Sequence, residues 1–328
     1  MLQRRFVYAL TGQTGHLKTA IALVLAHLIA ADQDASFGTH HVEKGRVVYF
    51  VGENPDDIRI RVIGADALRD DDTSRDRILF IPGVFDIRQM QSVLAVEMEK
   101  LGGVDLIIVD TSAAYFLGQD ENVNPQIGAH ARMLRKLTEL PGGPCVLVLC
   151  HPIKYTTDPS QLLPRGGGAF LAEMDGNLTS WRHDENLVEL HHNKIRGPGF
   201  EPMTFRIEKI TTPKLADSKG RLISTVLAVP ISDQEEETQS RQVRDDEDTL
   251  LAALLKDADR SVAELARACD WILLNGEPHK SKVHRSLDRL EKAKFLKKKR
   301  GRCVLTKEGK DVARKAALRF GREAAEGA

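Results

Sequence analysis

Cysteine, tryptophan and surplus charge are all scarce in this chain of 328 residues. The four cysteines, Cys145, Cys150, Cys269 and Cys303, form no C-x-x-C pair and no zinc spacing. That excludes a cysteine-rich metal module and fits a reduced, cytoplasmic setting, with Cys145 and Cys150 flanking a strand core as small hydrophobes. Positive and negative side chains balance to a formal net charge of zero, so the chain as a whole is no polycation and any nucleic-acid surface must be local. Long apolar runs are missing too. The stretch from Ala20 to Ala30 is too short to cross a bilayer, and the N-terminus lacks a signal-peptide layout, so no membrane partner is expected. What remains is an ordinary globular composition over a length that suggests about two domains.

The most informative stretch is Thr11-Gly12-Gln13-Thr14-Gly15-His16-Leu17-Lys18-Thr19. A short β-rich run, Phe6 to Leu10, precedes it, and a long Ala/Leu-rich run that reads as a buried helix follows. Strand, Gly-rich turn, then Lys-Thr at the start of a helix is the context of a phosphate-binding loop. Glycines let the backbone wrap a triphosphate, N–H groups at the helix start point at it, and the helix dipole favours its charge. Gly12 to Thr19 would form the cradle, Lys18 would reach the β and γ phosphates, and the Thr19 hydroxyl would hold Mg²⁺. One position departs from the pattern: Leu17 stands where the consensus has Gly, which is unfavourable if the turn requires positive φ.

Beyond the loop, strands and helices alternate. Buried strands are expected at 46–51, 78–81, 105–110 and 145–150, with helices from Pro55, from Ile87 and around Ile127 to Leu137. This pattern implies an α/β fold with a mostly parallel sheet flanked by helices, whose ligand lies at the carboxyl ends of the strands. Thr11, Glu53, Asp110 and His151 all stand at such ends. Asp110, closing a buried strand, is placed to hold Mg²⁺ through water. From Asn177 the runs 177–182, 187–192 and 203–207 read as short strands of an antiparallel extension.

The segment 46–57, ending in Gly52-Glu53-Asn54-Pro55-Asp56-Asp57, resembles the stretch that carries the catalytic Glu in RecA-like ATPases of the RepA-like and DnaB-like replicative helicase group. Leu106 to Thr111 is similar to that group's Walker B strand, and Val146 to His151 to its γ-phosphate sensor strand. Arg165 to Phe170 is similar to its Gly-rich segment before an Asp, here Asp175, and Asn193 to Pro198 to its Lys-x-Arg finger. The resemblance covers roughly residues 5 to 210. It implies a RecA-like domain over 1–230 that hydrolyses ATP with Mg²⁺. Glu53 would polarise the water, Lys18 would neutralise phosphate, His151 would report the γ-phosphate, and Lys194 and Arg196 would act on a neighbouring subunit. A homo-oligomer such as a hexamer, acting on single-stranded or duplex DNA, is therefore expected. Besides Leu17, the match departs from the group in starting near residue 5, without the arm that links ring subunits.

Residues 231–245 are acidic, Gln-rich and aperiodic, and read as a linker. The remainder, 246–318, reads as three helices and a basic hairpin turning at Gly301, the layout of a winged helix-turn-helix, followed by a frayed tail over 319–328. Ser261 and Glu264 form a capping box at the second helix. Lys280, Lys282, Arg285 and Arg289 on the third helix, with Lys298, Lys299 and Arg300 on the hairpin, are the candidate DNA-binding residues. Two further readings stay open on sequence alone. One is a replication initiator or regulator with weak or no ATPase that works through the C-terminal module. The other is a recombination-type ATPase that coats DNA without unwinding it.

Overall fold

The structure, a computed structural model, describes all residues except 70–74, 122, 155, 157, 183–185, 274, 300–301 and 327–328, and only the backbone at 69, 75, 233, 236, 239–240, 299, 302 and 320–326. The chain forms two compact units, Met1–Ser232 and Asp233–Ala328.

In the first unit, β1 (Val7–Gly12) runs into α1 (Lys18–Ala30), and a small hairpin, β2 (Ala35–Phe37) and β3 (His40–Val42), leads to β4 (Val47–Val51). Then come α2 (Pro55–Arg69), β5 (Ile78–Pro82), α3 (Ile87–Lys100), β6 (Leu106–Asp110), α4 (Asn124–Lys136), β7 (Cys145–Cys150), α5 (Gly167–Ala172) and β8 (Gly176–Arg182). Three long strands close the unit: β9 (Leu187–Ile195), β10 (Met203–Ala216) and β11 (Leu222–Pro230). They build one nine-stranded sheet in the order β11-β10-β9-β8-β1-β7-β6-β4-β5.

The six strands from β8 to β5 are mutually parallel, and β9, β10 and β11 add on antiparallel. The unit is thus an α/β fold with a large, mostly parallel sheet flanked by helices. One expectation is corrected here. Residues 176–182 belong to the parallel part of the sheet, because the short helix α5 carries the chain back across before β8 begins. Strand β10 is also far longer than the expected 203–207, and β11 went unforeseen.

Alternation along the central strands explains why they read as continuous apolar runs. Tyr8 and Leu10 enter one core, with α1 and Phe37, whereas Val7 and Ala9 enter a second core on the other face, with Leu94, Met98 and Leu134. Both faces of the sheet are covered, as parallel strands require. Helix α1 is buried nearly all round, in keeping with its Ala/Leu composition.

The second unit comprises α6 (Asp233–Lys256), α7 (Val262–Ala268), α8 (Lys280–Lys292), the antiparallel pair β12 (Leu296–Lys299) and β13 (Arg302–Leu305), and α9 (Lys307–Glu326). It has its own core, including Leu250, Leu254, Leu265, Leu287, Leu290 and Leu305. Two corrections follow. The stretch read as a linker, 231–245, is helical from Asp233 onward. Its Glu, Gln and Arg residues are good helix formers, and spacings such as Glu237–Arg241 give an i,i+4 ion pair at 2.8 Å, so an apolar stripe is not needed over that half. The tail expected to fray is helical through Glu326. The capping box forms as expected, with the Ser261 side chain accepting from the Glu264 N–H and the Glu264 carboxylate accepting from the Ser261 N–H. The expected turn at Gly301 lies outside the described residues.

Candidate nucleotide site

Parallel register brings four strand ends to one level. Thr11 pairs with Cys150, Leu149 with Asp110, and Asp110 with Val51. The phosphate-loop residues, His151, Asp110 and Glu53 therefore share the carboxyl edge of the sheet, around the start of α1.

The loop adopts the conformation that its glycines suggest. Gly15 has φ 81°, and a Cβ on Gly12 would lie 2.9 Å from the Ser180 carbonyl. Leu17, at φ 59° and ψ 21°, sits in the left-handed region just before α1. The turn does need positive φ at the position where Leu replaces Gly, and a side chain there costs about 1–2 kcal/mol in backbone strain. The Leu17 side chain is half-buried and packs against the core around α1, which offsets part of that strain.

Lys18 is buried, and its ammonium donates to the carbonyls of Gly12 at 2.7 Å and Gln13 at 3.2 Å. Burial lowers its pKa, opposed chiefly by the nearby Asp110 carboxylate. The ammonium has three protons, so one remains for a phosphate oxygen. Thr19 donates its hydroxyl to Oδ2 of Asp110 at 3.0 Å, and the Tyr49 hydroxyl donates to the same oxygen at 2.7 Å. Burial raises the Asp110 pKa, while these two hydrogen bonds pull it back down.

Glu53, about half exposed, accepts the Thr111 hydroxyl on Oε1 at 2.7 Å, and Nε2 of His151 lies 3.4 Å from the same oxygen. Its other oxygen, Oε2, has no donor among the described residues. His16 packs edge-on against Trp181, with ring centroids 5.4 Å apart, and its Nδ1 is 3.2 Å from the Ser180 carbonyl. Gln13 reaches the carbonyl of Thr156 at 3.1 Å, and Thr14 is exposed beside His151 and Lys154.

The donor set suits a hard cation. Among the described residues no cluster of three or more His, Cys, Asp or Glu could hold a metal by itself. A cation here would take its protein ligation from the Thr19 hydroxyl and Asp110 and the rest from phosphate oxygens and water, which is the habit of Mg²⁺.

Lys194 and Arg196 lie elsewhere. Strand β9 ends with Ile195 opposite Gly176, which is opposite Tyr8. They therefore stand at the amino edge of the sheet, about 13 Å along β1 from Gly12 at roughly 3.3 Å per residue. Lys194 donates to the Leu171 carbonyl at 2.6 Å. Arg196 is mostly exposed, at 72 %, and its guanidinium lies 3.4 Å from Oδ1 of the buried Asp175. The other oxygen of Asp175 takes Arg135 and the Val7 N–H, each at 3.0 Å.

In the second unit the candidate cations divide. Lys282 pairs with Asp246 at 2.8 Å and lies over the Trp271 ring, Arg289 pairs with Glu247 at 2.8 Å, and Lys298 bridges Asp288 and Glu291 at 2.6 and 3.1 Å. These three are paired within their own unit. Lys280 is exposed at the start of α8, in line with exposed His284, and Arg285 is partly covered. The Lys299 side chain and all of Arg300 lie outside the described residues. Sequence reasoning missed Tyr49 and Thr111, which hold Asp110 and Glu53. Thr111 had a signal in directly following the strand-ending acid, whereas Tyr49 was hidden in an apolar run.

Residues 1–156 match the model of the AAA_25 family, an AAA domain. The matched range contains the phosphate loop, Glu53, Asp110 and His151. A comparison with curated proteins finds no match. Among solved structures the chain is similar to an ATPase domain, with a TM-score of 0.47 and 16 % identity over 67 % of this chain and 85 % of that one, too loose a likeness to carry function.

Proposed function

We propose that the first unit is an ATPase of the RepA-like or DnaB-like helicase type that couples ATP hydrolysis to DNA binding or unwinding in replication or recombination. One observation carries this reading: a glycine-rich loop, a buried lysine, a Thr–Asp pair and an exposed carboxylate converge on one sheet edge at the start of a buried helix. The loop N–H groups and Lys18 bind the phosphates. Thr19 and Asp110 would hold Mg²⁺, which would supply charge neutralisation for the phosphates. Oε2 of Glu53 is free to accept a proton from water, aligning its oxygen for attack on the γ-phosphorus, while Thr111 and His151 fix the carboxylate through Oε1. The bond to the β-phosphate oxygen breaks, giving ADP and inorganic phosphate. Arg196, at the opposite sheet edge, is read as serving the site of another copy, where it would stabilise the transferring phosphoryl group.

We read the second unit, with its α6, α7 and α8, the β12–β13 pair and α9, as a winged helix. It would contact duplex DNA through the exposed side of α8 and through the hairpin. A different reading, an initiator with weak or no ATPase acting through this unit, is favoured by the strained Leu17 in the phosphate loop. ATP turnover measured with and without single-stranded DNA decides between them. The ATPase reading expects turnover that DNA stimulates, whereas nucleotide binding without turnover under either condition supports the initiator.

A further inference from the structure

Tyr49 occupies the middle of β4, in the run Val47-Val48-Tyr49-Phe50-Val51, and is fully buried. Any large apolar residue would fill that place, and the Tyr49 ring does pack against Phe80, with centroids 5.5 Å apart. The hydroxyl is the exception in an otherwise apolar strand. In the parallel register Tyr49 faces Ile108, so its ring leans two residues along the neighbouring strand to reach Asp110, where the hydroxyl donates to Oδ2 at 2.7 Å.

A buried tyrosine hydroxyl needs an acceptor, so the bond could exist only to satisfy Tyr49. The distribution of donors over the carboxylate points the other way. Oδ2 receives both Tyr49 and Thr19, whereas Oδ1 has no donor among the described residues. The terminal torsion of an aspartate is broad and roughly two-fold, so a carboxylate with one donor can swing. Two donors on one oxygen select a single orientation and turn the other oxygen outward. The same bond acts on Thr19: with its proton committed to Oδ2, its oxygen lone pairs are left for a cation.

We propose that Tyr49 is a positioning residue for the divalent cation, holding Oδ2 of Asp110 so that Oδ1 and the Thr19 oxygen present a fixed pair of ligands to Mg²⁺ and its water. The inference rests on the reading of Thr19 and Asp110 as the cation site. Tyr49 touches neither nucleotide nor metal and acts only through Asp110.

The test uses full-length protein carrying Tyr49→Phe, which keeps the ring and removes the hydroxyl. Binding of a fluorescent ATP analogue is followed during titration with MgCl₂ and, separately, in EDTA, and the melting temperature is recorded. Loss of a hydrogen bond to a charged group should raise the Mg²⁺ concentration for half-maximal effect by about tenfold. Affinity in EDTA should stay near wild type, and the melting temperature should fall by a few degrees at most. An unchanged Mg²⁺ midpoint overturns the proposal. So does an equal loss of affinity with and without Mg²⁺, because that is the mark of a packing role. Asp110→Asn, run alongside, separates the two levels. If it also leaves the Mg²⁺ response intact, the cation site itself is misassigned. If it abolishes the response while Tyr49→Phe does not shift it, only the role of Tyr49 fails.

Discussion

The two edges of the central sheet are built differently. At the carboxyl edge, Lys18, Thr19, Tyr49, Asp110, Thr111, Glu53 and His151 are tied to one another or to the loop by hydrogen bonds of 2.7 to 3.4 Å, and Lys18, Tyr49 and Asp110 are buried. At the amino edge, Arg196 is largely exposed and, among the described residues, held by a 3.4 Å contact to Asp175 and by its backbone. A group meant to act within its own chain can be fixed in advance by buried partners. On the proposed reading Arg196 acts on another copy and must stay accessible, and Asp175 gives it an anchor that is itself immobilised by Val7 and Arg135. Strand β1 joins the two edges, with the phosphate loop at one end and the Val7 N–H under Asp175 at the other.

The sharpest way to break this contrast is to remove the exposed member. Arg196→Ala should bind ATP normally and lose turnover by a factor on the order of 10³, as in systems that use an arginine in trans. Weakened nucleotide binding instead would mean that the residue matters to the fold of its own chain. On the other edge, Glu53→Gln should retain nucleotide and lose turnover by about two orders of magnitude or more. Normal hydrolysis by that variant would remove Glu53 from the reaction.

A second contrast, between cations of the C-terminal unit with and without a carboxylate partner among the described residues, gives a smaller effect. Lys280→Ala with Lys297→Ala, the latter an exposed residue of β12, should weaken duplex binding by the full chain regardless of sequence and flatten its salt dependence by up to about two units of slope. Lys298→Ala, which breaks the pairs with Asp288 and Glu291, should mainly lower the melting temperature of the unit. Equal effects on DNA binding would erase the distinction. The smallest effect is expected at Leu17. Leu17→Gly relieves the left-handed strain and should tighten nucleotide binding several-fold, with the lost apolar contact working against it. No gain would show that the loop has adapted to leucine.

Much of the carboxyl edge was legible in the sequence, because each of its residues follows a strand that announces itself as an apolar run. Gly12 and Gly15 marked the turn, and Pro55 the start of α2. What was hidden depends on contacts across strands. Nothing in Val47 to Val51 tells that the tyrosine alone reaches Asp110, and the parallel placement of β8 follows from a six-residue helix in a glycine-rich segment that periodicity could not register. The first half of helix α6 has no apolar stripe to reveal it in the sequence, because its stability there comes from propensity and charge spacing. The paired state of Lys282, Arg289 and Lys298 was equally out of reach, since their partners at 246, 247, 288 and 291 are fixed only once α6, α8 and the hairpin pack.

The division of labour between the two edges is tested most directly by mixing. Arg196→Ala and Glu53→Gln proteins, each inactive alone, are combined at a series of ratios and ATP turnover is measured. The account predicts that activity returns and is greatest at intermediate ratios, because some contacts between copies then pair an intact Glu53 with an intact Arg196. Turnover that stays at the background of the separate variants at every ratio would contradict it.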